Sequence, residues 1–157
     1  MKRSIKIIIA ILTPILFLLF LGALGSASQS DSPPIITKLT KDQIITRSLN
    51  GITYDDLMRY NEKYVNEIIH QKTSKVVQMQ NLYGDNYMIM VNTATGTYNF
   101  DADWIWLNYE GARILEDDTV EFWGKVKGLK QYETALGSVN TVPEIDVLYL
   151  DVVKKGD

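Results

Sequence analysis

The chain has 157 residues, 16 basic and 19 acidic side chains, a formal charge of −3 and no cysteine. Zero cysteines exclude disulfides and thiolate metal sites, and the acidic balance argues against nonspecific nucleic-acid binding, which neutralises phosphates with Lys and Arg. Once the apolar N-terminal stretch is set aside, about 130 residues remain, enough for one modest core.

That stretch opens the chain. Lys2, Arg3 and Lys6 lead into Ile7–Leu24, a run without a charge, and Gly25-Ser26-Ala27-Ser28 follows. A positive, an apolar and a small-residue segment in this order form an export signal. Read as a cleaved peptide, Gly25 and Ala27 are the small residues before a cut at Ser28. Read as a retained anchor, Ile7–Leu24 sits at the lower edge of the ~17–25 residues that span a hydrocarbon core. Either way the basic flank keeps the N-terminus inside and sends the body out. The expected location is the cell membrane, single-pass with the C-terminal domain outside, or the exterior if the signal is cut. Without Lys2, Arg3 and Lys6 the exported part has 13 basic residues against 19 acidic ones, a formal −6.

Residues 1–27 are thus read as signal peptide or signal anchor, 28–50 as polar linker and irregular lead-in, and 51–157 as a barrel domain. Ser28–Pro34 is polar and ends in two prolines, the composition of a stalk. Ile35–Asn50 shows no clean period. Thr53 is a helix N-cap, with Asp56 in the place of the capping-box glutamate. Tyr54, Leu57, Met58, Asn61, Tyr64 and Val65 then recur at helical spacing, predicting an amphipathic helix over Tyr54–Val65.

From Ile68 the period becomes strand-like. Ile68–Tyr83 holds one long strand or two short ones, and Gly84-Asp85-Asn86 turns the chain into Tyr87–Thr93. Thr95-Gly96-Thr97 is a further turn, Trp104–Tyr109 a third strand, and Glu116-Asp117-Asp118 a solvated turn into Thr119–Gly128. In that last segment Val120, Phe122 and Val126 face one way while Glu121, Trp123, Lys125 and Lys127 face the other. Leu129–Thr141 reads as a loop or hairpin, and Pro143 precedes a final strand, Ile145–Val153. Gly124 and Gly128 fall where a strongly coiled strand needs a missing Cβ. The fold class is therefore mainly β, a small closed or nearly closed five-stranded barrel with one short N-terminal helix, preceded by a membrane-spanning or signal helix; the family resemblance given next implies that the barrel is OB-like. An SH3-like barrel is the structural rival.

The run Leu115-Glu-Asp-Asp-Thr-Val-Glu-Phe-Trp-Gly-Lys-Val-Lys-Gly-Leu129, followed by Tyr132-Glu-Thr-Ala-Leu-Gly137 and Thr141-Val-Pro-Glu-Ile145, resembles a group of exported prokaryotic OB-fold domains. Asn61-Glu-Lys-Tyr-Val65 and Lys75-Val-Val-Gln-Met-Gln80 are similar to the part where that group passes from helix to first strand. The resemblance spans Thr53 to about Val153 and implies a fold, distantly like anticodon-binding OB domains, without implying an activity. One departure is Asn66, which stands where the group usually has a glycine.

Few residues point to chemistry. His70 is the one histidine, and without cysteine or a Gly-x-Ser-x-Gly elbow it reads as a polar residue at the start of a strand. Asn99, Asp101, Asp103 and Glu110 match positions 1, 3, 5 and 12 of a calcium loop, but Trp104 replaces the glycine that makes its sharp turn. No cofactor is implied. Trp104 and Trp106 share a strand face, Trp123 lies beside charged neighbours as a solvent-facing ring, and Tyr132 follows in the next segment. These four aromatics form the candidate ligand-binding set. Gly84–Gly124 carries eight acids and one base, Arg113, so nucleic acid is an improbable partner, since single-strand binders surround such rings with basic grooves.

The expected function is a noncatalytic binding module, tethered to the membrane through residues 7–24 and meeting an extracellular protein, peptide or glycan. The alternatives are a divalent-cation-dependent enzyme built on Asp101, Asp103 and Glu110, and an OB-type single-strand binder. Intact-mass measurement of the protein isolated from membranes is expected to give the uncut chain. A mature species beginning at Ser28 would rule out the tether and keep export.

Overall fold

The alternation read in Thr119–Gly128 is the first part of a longer strand, Thr119–Glu133. In a computed structural model, which describes residues 38–94, 102–134 and 136–156, the order is α1 (Lys41–Arg47), β1 (Leu49–Asn50), α2 (Tyr54–Arg59), α3 (Asn61–Tyr64), β2 (Ile68–Tyr83), β3 (Asn86–Asn92), β4 (Trp104–Glu110), β5 (Thr119–Glu133) and β6 (Val139–Lys154). The signal or anchor segment, the Thr95-Gly96-Thr97 turn, Asn99 and Asp101 lie outside the described residues. Among the described residues no helix is long and apolar enough to cross a membrane.

Strands β2, β3, β4, β6 and β5 are neighbours in that order, and β5 pairs back with β2 to close a barrel. A meander would put β5 beside β4. Here β6 takes that place, and its pairing with β4 is parallel, through Trp106↔Glu144, Leu107↔Ile145 and Asn108↔Asp146. That exchange is a Greek-key connection, and the closed five-stranded barrel is OB-like.

The long segment Ile68–Tyr83 is one strand because it serves two partners. Its first half, Ile68–Lys75, pairs with β5, and Lys75–Tyr83 pairs with β3. A strand that changes partners must coil, and register shifts at Gln71/Ser74 and Val76/Gln78 accommodate the bend. Inward residues of all five strands fill the core: Ile69, Ile89, Ile105, Leu107, Phe122 and Ile145 are each 0% exposed. Val120 and Val126 join them, as their alternation required.

Gly124 lies opposite Ile69 on one side and Val147 on the other. A Cβ there would collide with Ile145 Cγ2 and lie 3.0 Å from the carbonyl oxygen of Asp146. The glycine is what lets β6 approach β5. Gly128 has φ +141 at a register shift, a conformation that side chains rarely adopt.

Before the barrel, Thr53 and Asp56 form the expected capping box: Asp56 N–H donates to Thr53 Oγ1 at 3.1 Å and Thr53 N–H to Asp56 Oδ2 at 3.0 Å. The amphipathic run is divided at Tyr60 into α2 and α3, with Leu57 and Tyr64 buried. Asn66 has φ +73. That explains the departure from glycine, since asparagine is among the side chains that best tolerate the left-handed region.

Other expectations are corrected. The lead-in is not irregular throughout: Thr40 and Gln43 form a second capping box and start α1, and β1 pairs in parallel with β2 through Leu49↔Ile69 and Asn50↔His70. Both belong to the same unit as the barrel. Of the loop or hairpin expected over Leu129–Thr141, the structure has the hairpin, with β5 running to Glu133 and β6 starting at Val139, whereas Pro143 lies inside the last strand opposite Leu129 rather than before it. Asp118 is not solvated. It is 6% exposed and accepts N–H bonds from Leu115 at 2.9 Å and Gly156 at 2.8 Å, which hold its carboxyl below the usual carboxylate range.

Two substitutions test this packing by urea unfolding. Phe122→Ala is expected to cost about 3–5 kcal/mol, and Gly124→Ala about 1–3 kcal/mol through overpacking. A change below about 1 kcal/mol for Phe122→Ala would place that ring outside a packed core.

Candidate binding groove

The outer surface of the β2-β3-β4-β6 wall is built from two rows. One runs Gln78, Met90, Trp106, Glu144 and the next Gln80, Met88, Asn108, Asp146, each residue opposite its neighbour across the strands. Period-two alternation dictates this: Ile89, Ile105, Leu107 and Ile145 point inward, so their flanking residues point out. Trp104, opposite Asn92, extends the β4 side.

A groove of about 430 Å³ lies on this face. Met88 and Met90, 4% and 3% exposed, form its floor. Trp104 and Trp106 stand on one side, and Gln78 and Gln80 on the β2 side. The remaining wall comes from the β5–β6 hairpin, which brings Tyr132, Glu133 and Thr134 to the groove. Tyr132 packs on Trp106 with ring centroids 5.9 Å apart and planes at 48°.

Hydrogen bonds fix Trp106 from beside. Its Nε1–H donates to Asn108 Oδ1 at 3.0 Å, and Asn108 Nδ2 donates to Glu144 Oε1 at 3.0 Å and Asp146 Oδ1 at 2.8 Å. Lys130 Nζ donates to Glu144 at 3.0 Å and lies 4.8 Å from the Trp106 ring centroid. Burial alone would raise the Glu144 carboxyl, but the bonds from Asn108 and Lys130 outweigh it and hold the group below its ordinary value. The phenol of Tyr54 is pushed up by burial and by the nearby Asp103 carboxylate and Tyr132. Tyr132 itself has a buried hydroxyl with no hydrogen-bond partner.

Three of the four aromatics named from sequence, Trp104, Trp106 and Tyr132, thus meet in one groove. Trp123 does not join them, and its expected exposure is corrected: the ring is 6% exposed. It points away from the core as the alternation requires, yet outward is not solvent. His70 stacks on it at 4.3 Å with planes 4° apart, and Tyr149 packs at 5.5 Å from the other side. Helix α1 reaches across, with Ile44 buried and Lys41 donating to the Tyr149 hydroxyl at 2.6 Å. His70 is held by Asn50 Oδ1 and Glu121 Oε1, each at 2.7 Å, so it has a structural role in binding β1 to the barrel.

The calcium-loop reading fails on its described members. Asp103 and Glu110 lie at opposite ends of β4, and seven strand residues at ~3.3 Å each separate them by over ~20 Å. Calcium ligands lie ~2.3–2.6 Å from the ion, so one ion cannot reach both. Among the described residues no group of three or more His, Cys, Asp or Glu converges as a metal site.

No protein-family model and no curated protein matches the chain. Among solved structures, a protein assigned as an aspartyl-tRNA synthetase from Leishmania major Friedlin is similar at 14% identity and a TM-score of 0.43, over 76% of this chain and 22% of that one. A likeness of that degree carries no argument, and the barrel assignment rests on strand order and register.

Iodide quenching of tryptophan emission separates the rings. Trp123→Phe is expected to remove no quenchable fraction, whereas the quenchable emission belongs to Trp104 and Trp106. Loss of quenching in Trp123→Phe would place that ring in solvent and contradict its cover.

Proposed function

We propose that the chain is a noncatalytic binding module of the exported OB-fold type, displayed outside the cytoplasmic membrane and tethered through residues 7–24. The observation that carries the binding part is the convergence of Trp104, Trp106 and Tyr132 on one groove floored by Met88 and Met90. Such a site combines large apolar area with a few placed polar groups, the composition of a recognition cleft. Methionines add an adaptable surface. The location rests on the positive, apolar and small-residue order of the N-terminal segment.

Architecture lends support by analogy. OB barrels carry ligands on the face of their second and third strands and on the hairpin between the fourth and fifth. Strands β3 and β4 and the β5–β6 hairpin hold those places. Nucleic acid is disfavoured because the groove lining contains no Lys or Arg among the described residues, whereas single-strand binders track phosphates with basic grooves.

A photoreactive benzoylphenylalanine placed at Gln80, on the groove rim, tests the reading in intact cells. Adducts are expected there, and are expected to fall by at least about fivefold in a Trp104→Ala, Trp106→Ala background, since anchor residues dominate binding. The same group at Arg47, an exposed residue of α1 outside the groove lining, should give none. Adducts insensitive to the tryptophans, or equal at both positions, would contradict a ligand in the groove.

A further inference from the structure

We propose that the groove accepts a cationic side chain, an arginine of a partner polypeptide, against the faces of Trp106 and Tyr132. This rests on the groove being a binding site and names the chemistry of its occupant.

The charge pattern is the first argument. Glu133 is the one charged residue lining the groove among the described residues. Glu144, beside Trp106, is already matched by Lys130 at 3.0 Å. Among the described residues the lining therefore carries one negative charge and no positive one. A neutral ligand would gain nothing from this field, and an anionic one would be repelled.

The rings supply the second. A cation over an indole or phenol face is attracted by the ring quadrupole, by about 0.5–2 kcal/mol depending on desolvation. The Trp106 face already demonstrates the contact, because Lys130 Nζ sits 4.8 Å from its centroid. The chain uses such contacts elsewhere, with Lys41 over Tyr149 at 4.0 Å.

Guanidinium fits better than ammonium. It is planar, stacks on aromatic faces and offers five donors in a rigid fork. Acceptors for such a fork stand around the rings. Gln78 and Gln80 line the rim, and the Glu133 carboxylate closes the hairpin side.

The test uses the full chain in detergent and two fluorescently labelled five-residue peptides, one with two arginines and one with citrulline in their place. Citrulline keeps the shape and removes the charge. By anisotropy at low salt the arginine peptide is expected to bind at least about tenfold more tightly. That ratio should shrink several-fold near 1 M salt, where the screening length is ~3 Å. Glu133→Gln should narrow the ratio and leave citrulline binding unchanged. Trp106→Ala should abolish binding, and Trp106→Phe, which keeps an aromatic face on the barrel, should weaken it only partly.

Equal binding of the two peptides, or displacement of both by cellohexaose, would overturn the cationic occupant and keep the groove as a neutral site. Arginine-peptide binding that survives Trp106→Ala would place the contact elsewhere on the acidic surface and overturn the proposal. Failure of both peptides and of labelled cellohexaose to bind would count against the groove reading itself.

Discussion

Three parallel residue pairs between β4 and β6 join the two sides of this barrel, and the rest of the arrangement depends on them. Trp106↔Glu144, Leu107↔Ile145 and Asn108↔Asp146 form the seam. It can form only if β6 approaches both β4 and β5. On the β5 side that approach uses the space left by the absent Cβ of Gly124, beside Ile145 and Asp146. The inward members of the seam, Leu107 and Ile145, are core. Its outward members set Trp106 beside Asn108 and Glu144, where hydrogen bonds orient the indole. Stability and the groove thus share one set of pairings. The hairpin beyond the seam then overhangs the β4 face and brings Tyr132 onto Trp106.

The two outward aromatic clusters are built alike and end differently. On the β2-β5-β6 face, His70, Trp123 and Tyr149 are opposite one another across three strands. Helix α1 contacts the strands on either side and leaves Trp123 buried. On the β2-β3-β4-β6 face, Trp106 has a hairpin at one side and half-exposed surface at the other. The first cluster holds the N-terminal helix to the barrel, through Lys41 to Tyr149 and Asn50 to His70. The second keeps apolar ring area in contact with solvent at a site walled by side chains, which is where binding energy is available.

Much of this was legible in the sequence, for reasons that differ by residue. Alternation placed Val120, Phe122 and Val126 in the core, because a strand half-buried on one face carries its own period. Thr53 and Asp56 marked a helix start by local hydrogen-bonding chemistry alone. The same signal was present at Thr40 and Gln43, but α1 buries only Ile44 and so shows no apolar period. Trp123 lies on the side of its strand that alternation predicts, yet it is buried, since His70 and Tyr149 pack on it from strands far away in sequence. Asn99, Asp101, Asp103 and Glu110 had calcium-loop spacing, which means something only on a turn. β4 is extended and pulls Asp103 away from Glu110. The partners of Trp106, namely Asn108, Glu144 and Lys130, required the parallel register of β4 and β6, and no local pattern encodes a long-range register. Asn66 could be read as a departure from glycine, and its φ of +73 shows that the backbone demand was unchanged.

The account's central claim is that Trp104 and Trp106 face a ligand while Trp123 is structural. A ¹⁵N-edited spectrum resolves the indole N–H signals of the three tryptophans, and titration with the arginine-containing peptide tests the claim directly. The account predicts that the Trp104 and Trp106 signals move together with peptide concentration while Trp123 stays in place. Movement of Trp123 with the other two unmoved would put the ligand on the α1 face and contradict it.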